Sequence, residues 1–213
     1  MSSSTPQSFP VAAEGAEFNP SNIFKFIAAV SPIILTWFLA AASIFNQDIK
    51  GIIYLAGILI AICINVLLSN MIKSKPFPER NAVCEIFNLP FTSNYNSPSV
   101  NSMIIAFTAA YLIAPMRENN QMNYGIVAFL AVILVIDGVT KVTNYCTPTA
   151  GVILGTVLGY MLGYMWFALF KATGNDSLLY FNETLSNSAV CSVPKKQTFK
   201  CSVFKNGELV ESL

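Results

Sequence analysis

The sequence predicts an all-α membrane protein, a bundle of about five transmembrane helices with a small C-terminal tail that holds a candidate β-hairpin. Two features of the composition carry that prediction, and a third narrows the chemistry. Of 213 residues, 54% are hydrophobic and only 11% are charged. A soluble domain carries about 25% charged residues and has no single core able to hide so much apolar surface. The chain contains no histidine, which removes imidazole bases, phosphohistidine intermediates and His-ligated metals. No metal or other cofactor is expected. The net charge of +1 leaves no basic patch of the kind nucleic acid requires.

The elements follow in order. Residues 1–21 are polar, Ser-rich and Pro-broken, with Glu14 and Glu17 and no basic residue, so they read as a disordered tail without the positive segment of a signal peptide. Residues 22–171 form the predicted bundle. The first span, 23–45, is apolar apart from Lys25 and contains Pro32. It is long enough to cross about 30 Å of hydrocarbon at about 1.5 Å per residue. A tight polar connection at 46–50 leads to a second span, 52–71. Residues 72–98 hold Lys73, Lys75, Glu79, Arg80, Glu85 and four prolines, and read as a long loop outside the hydrocarbon. The third and fourth spans, 100–116 and 124–139, are short and joined by the polar turn 117–121. A second polar connection, 140–148, precedes the last span, 149–170.

That last span carries Gly151, Gly155, Gly159 and Gly163, one every four residues. Small residues on one helix face let backbones approach closely, the usual means of packing helices in lipid. Packing against neighbouring spans is the expected use. The tail, 172–213, is polar. Within it Asn206-Gly207, flanked by Val203-Phe204 and Leu209-Val210, is a type I′ hairpin signal. Cys191 and Cys201 are placed to bridge if that side is oxidising, and Asn175-Asp176-Ser177 and Asn182-Glu183-Thr184 are glycosylation acceptors if it is lumenal.

With five spans, the long loop and the 140–148 connection face the same compartment, and each directly precedes a helix. Helix N-termini attract anions, and the nearby cations are Lys73, Lys75, Arg80 and Lys141. Each candidate also has a simpler role. The loop cations are plausible headgroup anchors, Ser99 a helix cap, and Asp137 with Lys141 an i,i+4 ion pair.

The order and spacing of these residues resemble the type 2 phosphatidic acid phosphatase superfamily, whose motifs are K-x6-R-P, P-S-G-H and S-R-x5-H-x3-D. Here Lys73 is followed after six residues by Arg80 and then Asn81. Pro98-Ser99-Val100-Asn101-Ser102 stands for the second motif, and Thr140-Lys141, Thr147 and Gly151 for the third. The resemblance implies a helix bundle, usually of six spans. It also implies phosphate contacts from Lys73, Arg80, Ser99 and Lys141, a site on the non-cytoplasmic face, and a cytoplasmic C-terminus. It further implies that the leaving-group acid, the nucleophile and its orienting aspartate are replaced by Asn101, Thr147 and Gly151. Threonine needs an adjacent base to act as a nucleophile, an asparagine amide is too weak an acid, and glycine orients nothing. The expected protein is catalytically inactive and its partners are membrane lipids, phosphate-bearing headgroups among them, or it is a structural membrane component. Two other readings stand beside it. One is a lipid phosphatase using Cys146 or an activated water, and the other is an unrelated multispan scaffold.

Overall fold

The computed structural model describes residues 20–78, 84, 95–175 and 178–180, together with the backbone of two C-terminal strands. Five helices make up the bundle: α1 (Pro20–Asn46), α2 (Lys50–Ile72), α3 (Val100–Glu118), α4 (Tyr124–Thr143) and α5 (Thr149–Ala172). Each is long and apolar enough to cross a membrane. Residues 1–19 of the predicted tail 1–21, Arg80, Cys191, Cys201 and the Asn206-Gly207 turn lie outside the described residues, and α1 already begins at Pro20 within that predicted tail. On either side of that turn, β1 (Ser202–Lys205) pairs antiparallel with β2 (Glu208–Ser212), and Lys205 faces Glu208 across a two-residue connection, the spacing of a tight hairpin.

The helices differ in what they face. Nearly all of α3 is buried, whereas α4 and α5 bury only a stripe each. A helix shielded from lipid on all sides can carry polar residues, which accounts for Asn101, Ser102 and Thr108 in the middle of the bundle. The side-chain bonds of Ser102 and Thr108 are internal. Thr108 Oγ1 donates to Ile104 O (2.8 Å) and lies 2.6 Å from the Tyr54 hydroxyl, which is therefore the donor between them. On its outer faces the bundle exposes Trp37, Phe38, Leu67, Val135 and Met165, a surface suited to acyl chains and costly in water.

Pro32 sits within a continuous α1. Proline has no N–H to offer the carbonyl four residues back, and here that carbonyl, Ala28 O, takes a bond from Ser31 Oγ at 3.2 Å. Side-chain rescue of this kind is what makes proline tolerable in a membrane helix.

The glycine stripe of α5 packs inside the molecule. A Cβ built on Gly155, Gly159 or Gly163 would strike the backbone of Ser99, Met103 or Phe107 in turn. These are successive turns of α3 and its cap, so α3 and α5 run backbone against backbone.

Two features depart from the hydropathy pattern. The fourth helix does not stop at 139 but runs to Thr143, taking Thr140 and Lys141 out of the predicted connection. The cause is electrostatic: Lys141 Nζ lies 3.2 Å from Asp137 Oδ1, so the charge is compensated one turn back and the helix has no reason to end before it. The second departure is in the polar tail. Residues 178–180 turn back into the bundle, where Tyr180 is 1% exposed, donates to Leu39 O (2.5 Å) and packs on the rings of Tyr54 and Tyr111.

Candidate functional site

On the face where α2 and α4 end and α3 and α5 begin, the segment leading into α3 is pinned at two points. Asn96 N–H donates to Ser74 O (3.1 Å), and Ser99 N–H donates to Gly151 O (2.9 Å). The first bond ties the segment to the end of α2 and the second to the first turn of α5. Lys73 and Lys141 are accordingly on the same side of the bundle.

Ser99 caps α3, accepting from Ser102 N–H at 3.4 Å. Its hydroxyl also takes a bond from Lys141 Nζ at 2.8 Å, across 42 residues of sequence. Ser102 Oγ lies 2.6 Å from Asp137 Oδ2 and 2.9 Å from Ser99 Oγ. Ser102 has one proton, and a carboxylate can only accept. The Ser102 proton therefore goes to Asp137, and Ser99 donates to Ser102. The four side chains close a ring: Lys141 to Ser99, Ser99 to Ser102, Ser102 to Asp137, and Asp137 back to Lys141 through the ion pair. Asp137 and Ser102 are fully buried, and Ser99 and Lys141 are 4% exposed. Each polar group meets its opposite inside the ring, which is what permits two charges at this depth.

The ring limits the chemistry. As an ammonium paired with Asp137, Lys141 donates to Ser99 and has no lone pair with which to accept the serine proton. Nor is the Lys141 charge uncompensated toward an incoming anion, because Asp137 neutralises it.

The other sequence-selected residues fall as follows. Lys73 is exposed and forms the left-handed C-cap of α2 (φ 51°), its N–H donating to Ser69 O. Arg80 lies outside the described residues. Asn101 and Thr147 are buried, 4% and 7% exposed. Gly151 has no room for a side chain: a Cβ there would stand 2.8 Å from Thr147 Cγ2 and 3.0 Å from Ser97 Oγ. An aspartate at 151 would not fit this arrangement.

Cys146 is not a free thiol. It is joined to Cys84 in a disulfide, which removes the thiolate-nucleophile reading. The cross-link has local support. Cys146 N–H donates to Lys141 O (2.9 Å) and Tyr145 N–H to Val142 O, with Tyr145 left-handed at φ 56°. That is the Schellman arrangement that closes a helix C-terminus. The Phe77 ring meets Tyr145 edge-on at 6.2 Å, so the chain following α2 is held to the α4–α5 connection at two points.

Sequence reasoning selected Ser99 and Lys141 and overlooked Ser102 as their link, although its place three residues after a capping serine was visible. Among the described residues no group of three or more His, Cys, Asp or Glu is placed to hold a metal. No family model, no curated protein and no solved structure matches this chain. By its fold it is a multispan membrane protein. The resemblance to the phosphatases rests on its own motif residues.

Proposed function

We propose that this chain is a non-catalytic membrane protein of the phosphatidic acid phosphatase type, in which the phosphate site has closed on itself and now serves the bundle structurally. The observation that carries this reading is the ring. The serine and cation that would hold phosphate instead hold each other, Ser102 and Asp137. The filled space at Gly151 supports it, since the orienting carboxylate has no place to stand. Binding of phosphate would have to separate Lys141 from Asp137 and leave a buried carboxylate uncompensated, at a cost of about 3–5 kcal/mol.

The purified chain reconstituted in lipid should release no phosphate from phosphatidate or diacylglycerol pyrophosphate above protein-free vesicles. Inorganic phosphate and vanadate should not raise its unfolding temperature. Turnover abolished by Ser99→Ala, or a phosphate-dependent rise abolished by Lys141→Met, would overturn the reading.

The same reading assigns an orientation. Disulfides persist in oxidising compartments, so the face bearing Cys84–Cys146 is the non-cytosolic one and the C-terminal hairpin lies in the cytosol. Under denaturing conditions without reductant, a maleimide-polymer reagent should modify Cys63, Cys191 and Cys201, and after reduction all five cysteines. On sealed vesicles with the non-cytosolic face outward, Cys191 and Cys201 should be protected from an impermeant maleimide. Labelling of either one from outside would reverse the orientation.

A further inference from the structure

Between the start of α1 and the end of α4 lies an open groove of about 440 Å³, separate from the ring. Its deep part is apolar, lined by Val135 and Val139 of α4, both exposed on the outside of the bundle. Its shallow part is lined by Thr140, Thr143 and Lys25. Thr143 is the last residue of α4 and Lys25 lies in the second turn of α1, so this end is at the membrane surface. Val139 and Val135 stand one and two turns deeper.

Among the described residues Lys25 is the only charged one lining the groove. It is partly buried, and no carboxylate among the described residues is within ion-pair distance of it. Asp137, the nearest acid along α4, is fully buried and engaged by Ser102 and Lys141. Among the described residues the groove therefore presents one uncompensated positive charge at headgroup depth above an apolar slot that opens sideways to lipid.

We infer that this groove holds one anionic phospholipid, its phosphate on Lys25 and an acyl chain along Val135 and Val139. A zwitterionic lipid brings a second cation toward Lys25, and a free phosphate has no apolar body to fill the slot. A basic residue near the surface favours an anionic lipid about fivefold, equivalent to about 1 kcal/mol. The inference does not depend on the phosphatase-type reading, because none of its residues belongs to the motifs except Thr140, which only borders the groove.

The test is native mass spectrometry of the chain released from vesicles of equimolar phosphatidylglycerol and phosphatidylcholine. The native chain should retain one lipid, phosphatidylglycerol over phosphatidylcholine by about five to one. Lys25→Gln should bring the ratio to about one, while Lys73→Gln, an exposed cation on the same face, should leave it at five. Val139→Trp, which fills the slot without changing charge, should remove the retained lipid of either class and decides the matter if Lys25→Gln fails to insert. A ratio near one in the native chain would overturn the inference. So would an unchanged ratio in Lys25→Gln, an equal fall in Lys73→Gln, or full retention in Val139→Trp.

Discussion

Gly159→Val should leave little correctly folded protein, the largest effect expected of any single substitution in this chain. A Cβ at 159 would overlap the Met103 carbonyl oxygen and stand 2.8 Å from the carbonyl carbon. Both atoms belong to the backbone of α3 and cannot move aside as a side-chain tip could. Relief requires the two helices to separate, and separation also loosens the backbone contacts at Gly155 and Gly163 on the neighbouring turns. Overpacking a core costs about 1–3 kcal/mol where side chains can shift, and more where they cannot; a loss above about 3 kcal/mol is expected here. The measurement is the fraction of folded protein against denaturant in lipid bicelles. Gly138→Ala is the control, since its Cβ would meet only the end of the Val152 side chain at 3.2 Å and should cost little. Native-like stability of Gly159→Val would mean that α3 and α5 are not in backbone contact.

Asp137→Ala should be nearly as damaging, for an electrostatic reason. It strips the carboxylate from Lys141 and from Ser102 at once, in a place with no water to replace it. Removing one partner of a buried ion pair costs about 3–5 kcal/mol, whereas replacing both by apolar groups is often close to neutral. Asp137→Ala with Lys141→Met should accordingly recover most of the loss, and a double-mutant cycle should give a coupling of about 2 kcal/mol or more. Strictly additive effects would show that the ring does not act as a unit.

The spans were legible because an apolar run of membrane length has few other uses, and the glycine stripe because its four-residue period admits only one face. The Asp137–Lys141 spacing was legible too, but its strength was not. Hydropathy ended the fourth span at 139, since it scores a lysine as a cost wherever it stands, whereas a lysine facing its own aspartate adds a turn of helix. The cross-link between Cys84 and Cys146 was hidden by the 62 residues separating them; no local pattern encodes which of five cysteines meet. Of the site, the phosphatase-like spacing led to Ser99 and Lys141. It did not reveal that Asp137 and Ser102 complete them, because the resemblance assigns those two residues no role. Tyr180 was invisible for another reason: one aromatic in a polar tail does not announce what it packs on.

Tyr180 carries a consequence for how the protein is made. Its hydroxyl is bonded to Leu39 in α1, 141 residues earlier in the chain. Synthesis proceeds at about 5–20 residues per second, so the first helix waits roughly 7–28 s in the membrane before the tyrosine that completes its packing exists. Insertion and final assembly are therefore separate events, and a nascent chain halted before residue 180 holds all five spans without their last contact.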